Sequence, residues 1–121
     1  MLLDTFFQIA QMDTIAPQHF RVVVSLVPNH PVYAGHFPAN PVAPGVCTLQ
    51  MIVECAGRAL GYSVMITQAP VIKFLEVVRP SINKNLEIDL QMDDELTMKT
   101  TVKSGERMVI SCKLKLKKDF F

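Results

Sequence analysis

Three stretches in the second half of the chain alternate apolar and polar residues. Leu86, Ile88, Leu90 and Met92 alternate with Glu87, Asp89 and Gln91. Leu96, Met98, Thr100 and Val102 alternate with Thr97, Lys99, Thr101 and Lys103. Met108, Ile110, Cys112, Leu114 and Leu116 alternate with Val109, Ser111 and a series of lysines. A period of two sends successive side chains to opposite faces, so each stretch predicts a strand with one buried face. The connections at Asp93-Asp94 and Ser104-Gly105 are short turns, which make these strands antiparallel neighbours. A largely apolar run, Val71–Val78, carries Lys73 and Glu76 and predicts a fourth strand. Upstream, the β-branched run His19–Val27 predicts another, broken by Pro28, Asn29, His30 and Pro31. The segment Asp13–Gln18, with Pro17, reads as a turn. Residues 1–12 fit two patterns: Leu3, Phe6, Phe7 and Ala10 suit a helical face, while residues 6–12 suit a strand.

One stretch breaks the period of two. From Val46 to about Leu60 there is no proline, β-branched residues thin out, and Gly61 stands where a helix would end. Its apolar positions run nearly all the way round, leaving Gln50, Glu54 and Arg58, spaced by four, as a narrow polar stripe. A helix with so little polar surface must be enclosed by other structure. With one apolar face of an antiparallel sheet to cover it, the class is α+β.

At 121 residues the chain predicts a single domain over 1–121. Half of it is apolar and the mean hydropathy is +0.27, a surplus expected to be covered in an oligomer. A net charge of +1 without a basic block argues against nucleic acid as the main partner. Alternation puts three of Lys113, Lys115, Lys117 and Lys118 on one face, expected to be a solvated face, with a docking patch as the other reading. Cys47, Cys55 and Cys112 are an odd count without CxxC spacing, and read as small core residues in a reducing compartment. The N-terminus lacks a signal-peptide pattern and no run is long enough to span a bilayer, so the expected location is cytoplasmic.

The chemistry centres on residues 36–45, His-Phe-Pro-Ala-Asn-Pro-Val-Ala-Pro-Gly. Pro38, Pro41 and Pro44 stiffen this loop around His36, and Gly45 opens the helix where bare N–H groups can meet a ligand oxygen. A fixed histidine beside a helix N-terminus suits acid–base chemistry on a carbonyl compound. His19, His30 and His36 have no metal-ligand spacing. There is no phosphate-binding glycine loop or nucleophile elbow, and nothing calls for a metal or an organic cofactor. Glu54 allows two readings from the residues alone: an i,i+4 partner of Arg58, or a buried carboxyl with a raised pKa suited to a general acid.

Gly35-His36-Phe37-Pro38, Pro41 and Pro44-Gly45-Val46, with the helix to Gly57 and the later Ile72-Lys73-Phe74 and Arg79-Pro80, resemble the 3-hydroxyacyl-acyl carrier protein dehydratases. The resemblance runs from about Arg21 to Lys117. It implies a hot-dog fold, a curved antiparallel sheet wrapped around one long central helix. It also implies a hydro-lyase that removes water from a 3-hydroxyacyl thioester of acyl carrier protein to give the trans-2-enoyl thioester. His36 matches the base and Gly45 the carbonyl-binding N–H, with Val46 and Phe37 beside the substrate. The implied assembly is a homodimer or an oligomer of dimers, possibly a heterodimer, with the site shared between subunits. The helix acid expected fourteen residues after His36 is Gln50 here. Glu54 stands one turn on, about 5.4 Å along the axis. The catalytic set is therefore His36, Gln50 and Glu54. Two alternatives remain: an acyl thioesterase in which Glu54 activates water, or a non-catalytic partner subunit lending His36 to a second chain.

Overall fold

The computed structural model describes residues 1–35 and 41–119. Six strands are described: β1 (Phe7–Ala16), β2 (His19–Leu26), β3 (Val64–Phe74), β4 (Asn85–Met92), β5 (Thr97–Ser104) and β6 (Arg107–Lys118). A 3₁₀ turn (Pro31–Ala34) and one α-helix, α1 (Gly45–Leu60), separate β2 from β3. The strands form one sheet in the order β1-β2-β4-β5-β6-β3, with every neighbouring pair antiparallel. This is the expected α+β class.

The alternating patterns account for the core. Leu86, Ile88, Leu90, Met98, Val102, Ile110 and Leu114 are fully or nearly fully buried on one sheet face, against Met51, Ile52, Cys55 and Ala56 of α1. Each such aliphatic side chain contributes about 1.5–3 kcal/mol by leaving water. α1 ends where Gly61 takes the left-handed conformation (φ 85°) and donates its N–H to Gly57 O at 2.8 Å, a geometry that needs no Cβ.

The elements depart from the sequence pattern in four places. β1 runs through Asp13 to Ala16, so residues 7–12 are strand and the turn shrinks to Pro17-Gln18, with Gln18 at φ 60°. β3 begins at Val64, well before Val71, and passes through Pro70. It is an edge strand, where a missing N–H on the open side leaves no ladder bond unmade, and one of its two register shifts, between Gln68 and Val71, spans the proline. Residues 75–78, expected to continue that strand, leave it because Leu75 N and Glu76 N both donate to Val109 O. Val109 is itself the extra residue of a bulge, since Val102 faces Ile110 while Lys103 faces Met108. The bulge turns Val109 inward and Met108 outward, reversing the simple alternation at the start of β6.

Candidate active site

The loop before α1 is tied down from one side. Ala43 N donates to Val78 O at 2.7 Å, stitching this loop to the segment that leaves β3. Pro44 caps the helix, and the amides of Cys47 and Thr48 both turn back to Pro44 O. The two amides before them, Gly45 and Val46, have no intrahelical partner, the ordinary condition of a helix start and the donor set an oxyanion needs. The absence of a side chain on Gly45 makes room here for an aromatic ring. A Cβ would lie 2.9 Å from Phe74 Cζ, because the Phe74 ring covers the first turn. Gly45, Thr48, Phe74, Leu75, Val77 and Ile110 help line a cleft of about 510 Å³ at this end of the helix.

A second and larger cleft, about 770 Å³, opens along Gln50, Glu54 and Arg58 and is completed by Met1, Tyr62, Ser63 and Ile66. Glu54 is only 8% exposed, and every hydrogen bond found for it comes from a donor. Leu2 N and Leu3 N each donate to Oε1 at 2.9 Å, Leu2 N also reaches Oε2 at 2.9 Å, and Gln50 Nε2 donates to Oε2 at 3.0 Å. Among the described residues Glu54 makes no ion pair with Arg58, so the i,i+4 reading of the stripe is corrected. The backbone of the N-terminal segment takes that place, a partner 52 residues away that helical spacing cannot reveal. Gln50 spends its amide N–H on Glu54, which leaves its carbonyl oxygen available as an acceptor.

The two clefts share no lining residue. Helical geometry accounts for this, since Gln50 lies about 140° and Glu54 about 180° round the axis from Gly45. One copy of the chain therefore presents its helix-start amides and its amide–carboxylate pair on opposite sides of α1. His36 and Phe37 lie outside the described residues. The other two histidines have structural bonds: His19 Nε2 lies 2.5 Å from Asp89 Oδ1, and His30 Nδ1 accepts from Val32 N at 3.0 Å.

The three cysteines are free thiols. Burial pushes Cys55 up to about 12, with the Glu54 carboxylate adding to the shift and Arg58 opposing it. Burial raises Cys112 to about 11, with a Thr100 hydrogen bond opposing, and raises Cys47 as well. Thiolate chemistry at neutral pH is thereby disfavoured. Among the described residues no cluster of His, Cys, Asp and Glu could hold a metal ion, and no helix is long and apolar enough to cross a membrane.

Residues 11–113 match the family model of the ApeI-like proteins, described as ApeI dehydratase. The chain belongs to this dehydratase family. A 3-hydroxyacyl-[acyl-carrier-protein] dehydratase FabZ from Levilactobacillus brevis is 32% identical over 98 residues, covering 71% of this chain and 64% of that protein. The FabZ of Caldanaerobacter subterraneus subsp. tengcongensis is 28% identical over 104 residues, 76% of this chain and 72% of the relative. Another, from Chloroflexus aggregans, is 33% identical over 70 residues, 52% and 49% of the two chains. The chain thus spans about half to two thirds of the length of several curated relatives. Among solved structures, the dehydratase heterocomplex ApeI:P from Xenorhabdus doucetiae superposes with a TM-score of 0.77 at 19% identity, covering 89% of this chain and 95% of that one. An uncharacterized protein from Erwinia carotovora subsp. atroseptica gives 0.65 at 24% identity, covering 91% and 92%. The shared architecture is the hot-dog fold expected of the family.

Reading the sequence alone missed three participants: the Leu2 and Leu3 amides, and Phe74. The amides carry no side-chain signal. Phe74 belongs to the Ile72-Lys73-Phe74 segment that resembles the family, but its position over Gly45 depends on where β3 leaves the sheet.

Proposed function

We propose that this chain dehydrates a 3-hydroxyacyl thioester carried on acyl carrier protein, at a site assembled from two chains. The supporting observation is the opposed placement, on one helix of a dehydratase-family chain, of bare amides at Gly45 and a Gln50–Glu54 pair. A substrate needing both would have to lie between two copies of α1. The edge strand β3, with exposed Val71 and Phe74 in it and exposed Leu75 and Val77 just beyond its end, offers the apolar surface such a pairing needs.

In this reading the thioester carbonyl accepts the Gly45 N–H, with Val46 and Phe37 beside the acyl group, and the polarised carbonyl acidifies the neighbouring carbon. His36 removes the α-proton, forming imidazolium and an enolate. Collapse of the enolate forms the C2–C3 double bond and breaks the C3–O bond, while the imidazolium proton passes to the departing hydroxyl to make water. Gln50 across the interface, held by Glu54, accepts the hydroxyl's hydrogen bond and steers it without transferring a proton. The balance is one 3-hydroxyacyl thioester to one 2-enoyl thioester and one water.

A second reading has this chain lending His36 to a different chain that supplies an acid. It is favoured by the three donor groups already filling Glu54. Thioester hydrolysis with Glu54 as the base has less support for the same reason, since those donors already occupy the carboxylate oxygens that would have to take up a water.

Purified chain is incubated with 3-hydroxyacyl carrier-protein thioester, and the conjugated enoyl product is followed by absorbance. Activity abolished by His36→Ala supports the first reading. Activity that survives that substitution overturns it. A chain inactive alone but active when mixed with a second dehydratase-like subunit establishes the second.

A further inference from the structure

The outward face of the sheet is divided by charge. On the β2–β4 side, charges meet across the strands: Arg21 Nε lies 2.9 Å from Glu87 Oε1, and His19 lies 2.5 Å from Asp89. On the β5–β6–β3 side Arg107 pairs with Glu76, from the segment that leaves β3, but the strands themselves carry no carboxylate. All 11 acidic residues of the chain lie outside these three strands, which together hold Lys73, Lys99, Lys103, Arg107, Lys113, Lys115, Lys117 and Lys118. Among the described residues Lys73, Lys99, Lys113, Lys115 and Lys117 form no ion pair.

The register makes this more than a count. Lys99 stands directly opposite Lys113 across β5 and β6, the arrangement in which like charges destabilise a sheet. The next pair is Thr101 opposite Ser111, small hydroxyl residues that leave the surface low. The result is a shallow groove of about 430 Å³ with Lys99 and Lys113 on its rim, Thr101 and Ser111 on its floor, and Gln91 and Asp89 at one wall. The Asp89 carboxylate is already engaged by His19. Two ammonium groups, two hydroxyls and an amide form a receptor for carboxylates.

We propose that this groove and the lysines around it bind the acidic surface of a partner protein. The composition of the face argues for protein over other polyanions. Its outward positions on β3, β5 and β6 hold no aromatic residue on which a nucleic-acid base could stack. Its exposed large apolar members are Met65, Val71 and Met108, too small and scattered a set to insert into a lipid surface. The groove lies on the face turned away from α1, so the proposal does not rest on the catalytic reading and the two fail separately.

The test measures binding of the full chain to a 20-residue polyglutamate peptide by fluorescence anisotropy at low and moderate salt. The proposal expects affinity that falls with salt, a loss of at least about tenfold in Lys99→Gln/Lys113→Gln, and less than about twofold in Lys84→Gln, which lies off these three strands. It also expects the double variant to melt no lower than the parent, because a repulsive pair has been removed. Equal loss in both variants would overturn it, as would a lowered melting temperature in the first. Tighter binding of a single-stranded oligonucleotide or of phosphatidylglycerol vesicles than of the peptide would overturn it too.

Discussion

Glu54 is the residue whose role the structure changes most, and its replacement gives a quantitative test. Two backbone N–H groups, on Leu2 and Leu3, depend on its carboxylate in a partly buried setting. In Glu54→Leu both lose their acceptor. An N–H left unsatisfied costs about 1–3 kcal/mol. With partial access to water the lower end applies, giving about 2 kcal/mol for the pair. For a chain of 121 residues, each kcal/mol corresponds to roughly 4 °C in melting temperature, so the expected fall is about 8 °C. In Glu54→Gln one oxygen stays for Leu2 and Leu3, and the exposed Gln50 amide can reverse to accept from the new NH₂ group. The expected cost is less than about 1 kcal/mol, the difference between charged and neutral hydrogen bonds. Thermal melts and hydrogen exchange at Leu2 and Leu3 read both quantities. If Glu54→Leu melted with Glu54→Gln and left exchange at Leu2 and Leu3 unchanged, the clamp would not be holding the N-terminal segment, and the reasoning would fail.

Three further outcomes are expected. Gly45→Ala places a Cβ 2.9 Å from Phe74 Cζ, but Phe74 is 52% exposed and can swing away; stability should change by no more than about 1 kcal/mol in urea unfolding. The same substitution should reduce enoyl formation, and Gly45→Ala/Phe74→Ala should recover part of it. Stability should hold below about pH 9 and fall above it. The unfolded thiols lose their protons at the ordinary value of 9.0, while folded Cys112 and Cys55 keep theirs to about 11 and about 12. The slope is about 1.4 kcal/mol per pH unit per thiol, and Cys55→Ala/Cys112→Ala should flatten it in urea titrations at pH 8 and 10.

Much of the fold was legible because its signals are local and periodic. Leu86 to Met92 and Met98 to Val102 alternate without interruption, and the structure buries the residues that the pattern marks. α1 was legible from its lack of proline and from Gly61. β3 was harder to read, since an edge strand tolerates Pro70 and takes its register from β6. The bulge at Val109 depends on amides of Leu75 and Glu76, far away in sequence. At the site, the opposition of Gly45 to Gln50 and Glu54 could have been computed from helical spacing alone. The clamp on Glu54 could not, because two backbone amides carry no signature in the residue alphabet.

That opposition on α1 bears on how such a protein can change over generations. A mutation in the Gly45 cleft and one in the Gln50–Glu54 cleft act on separate surfaces of the same copy. After a gene duplication, one descendant could decay at the first surface and its sister at the second, and a mixed pair would still hold one intact set of both. The helix thus makes division of labour between sister genes easy to reach, and hard to reverse once each has lost its half.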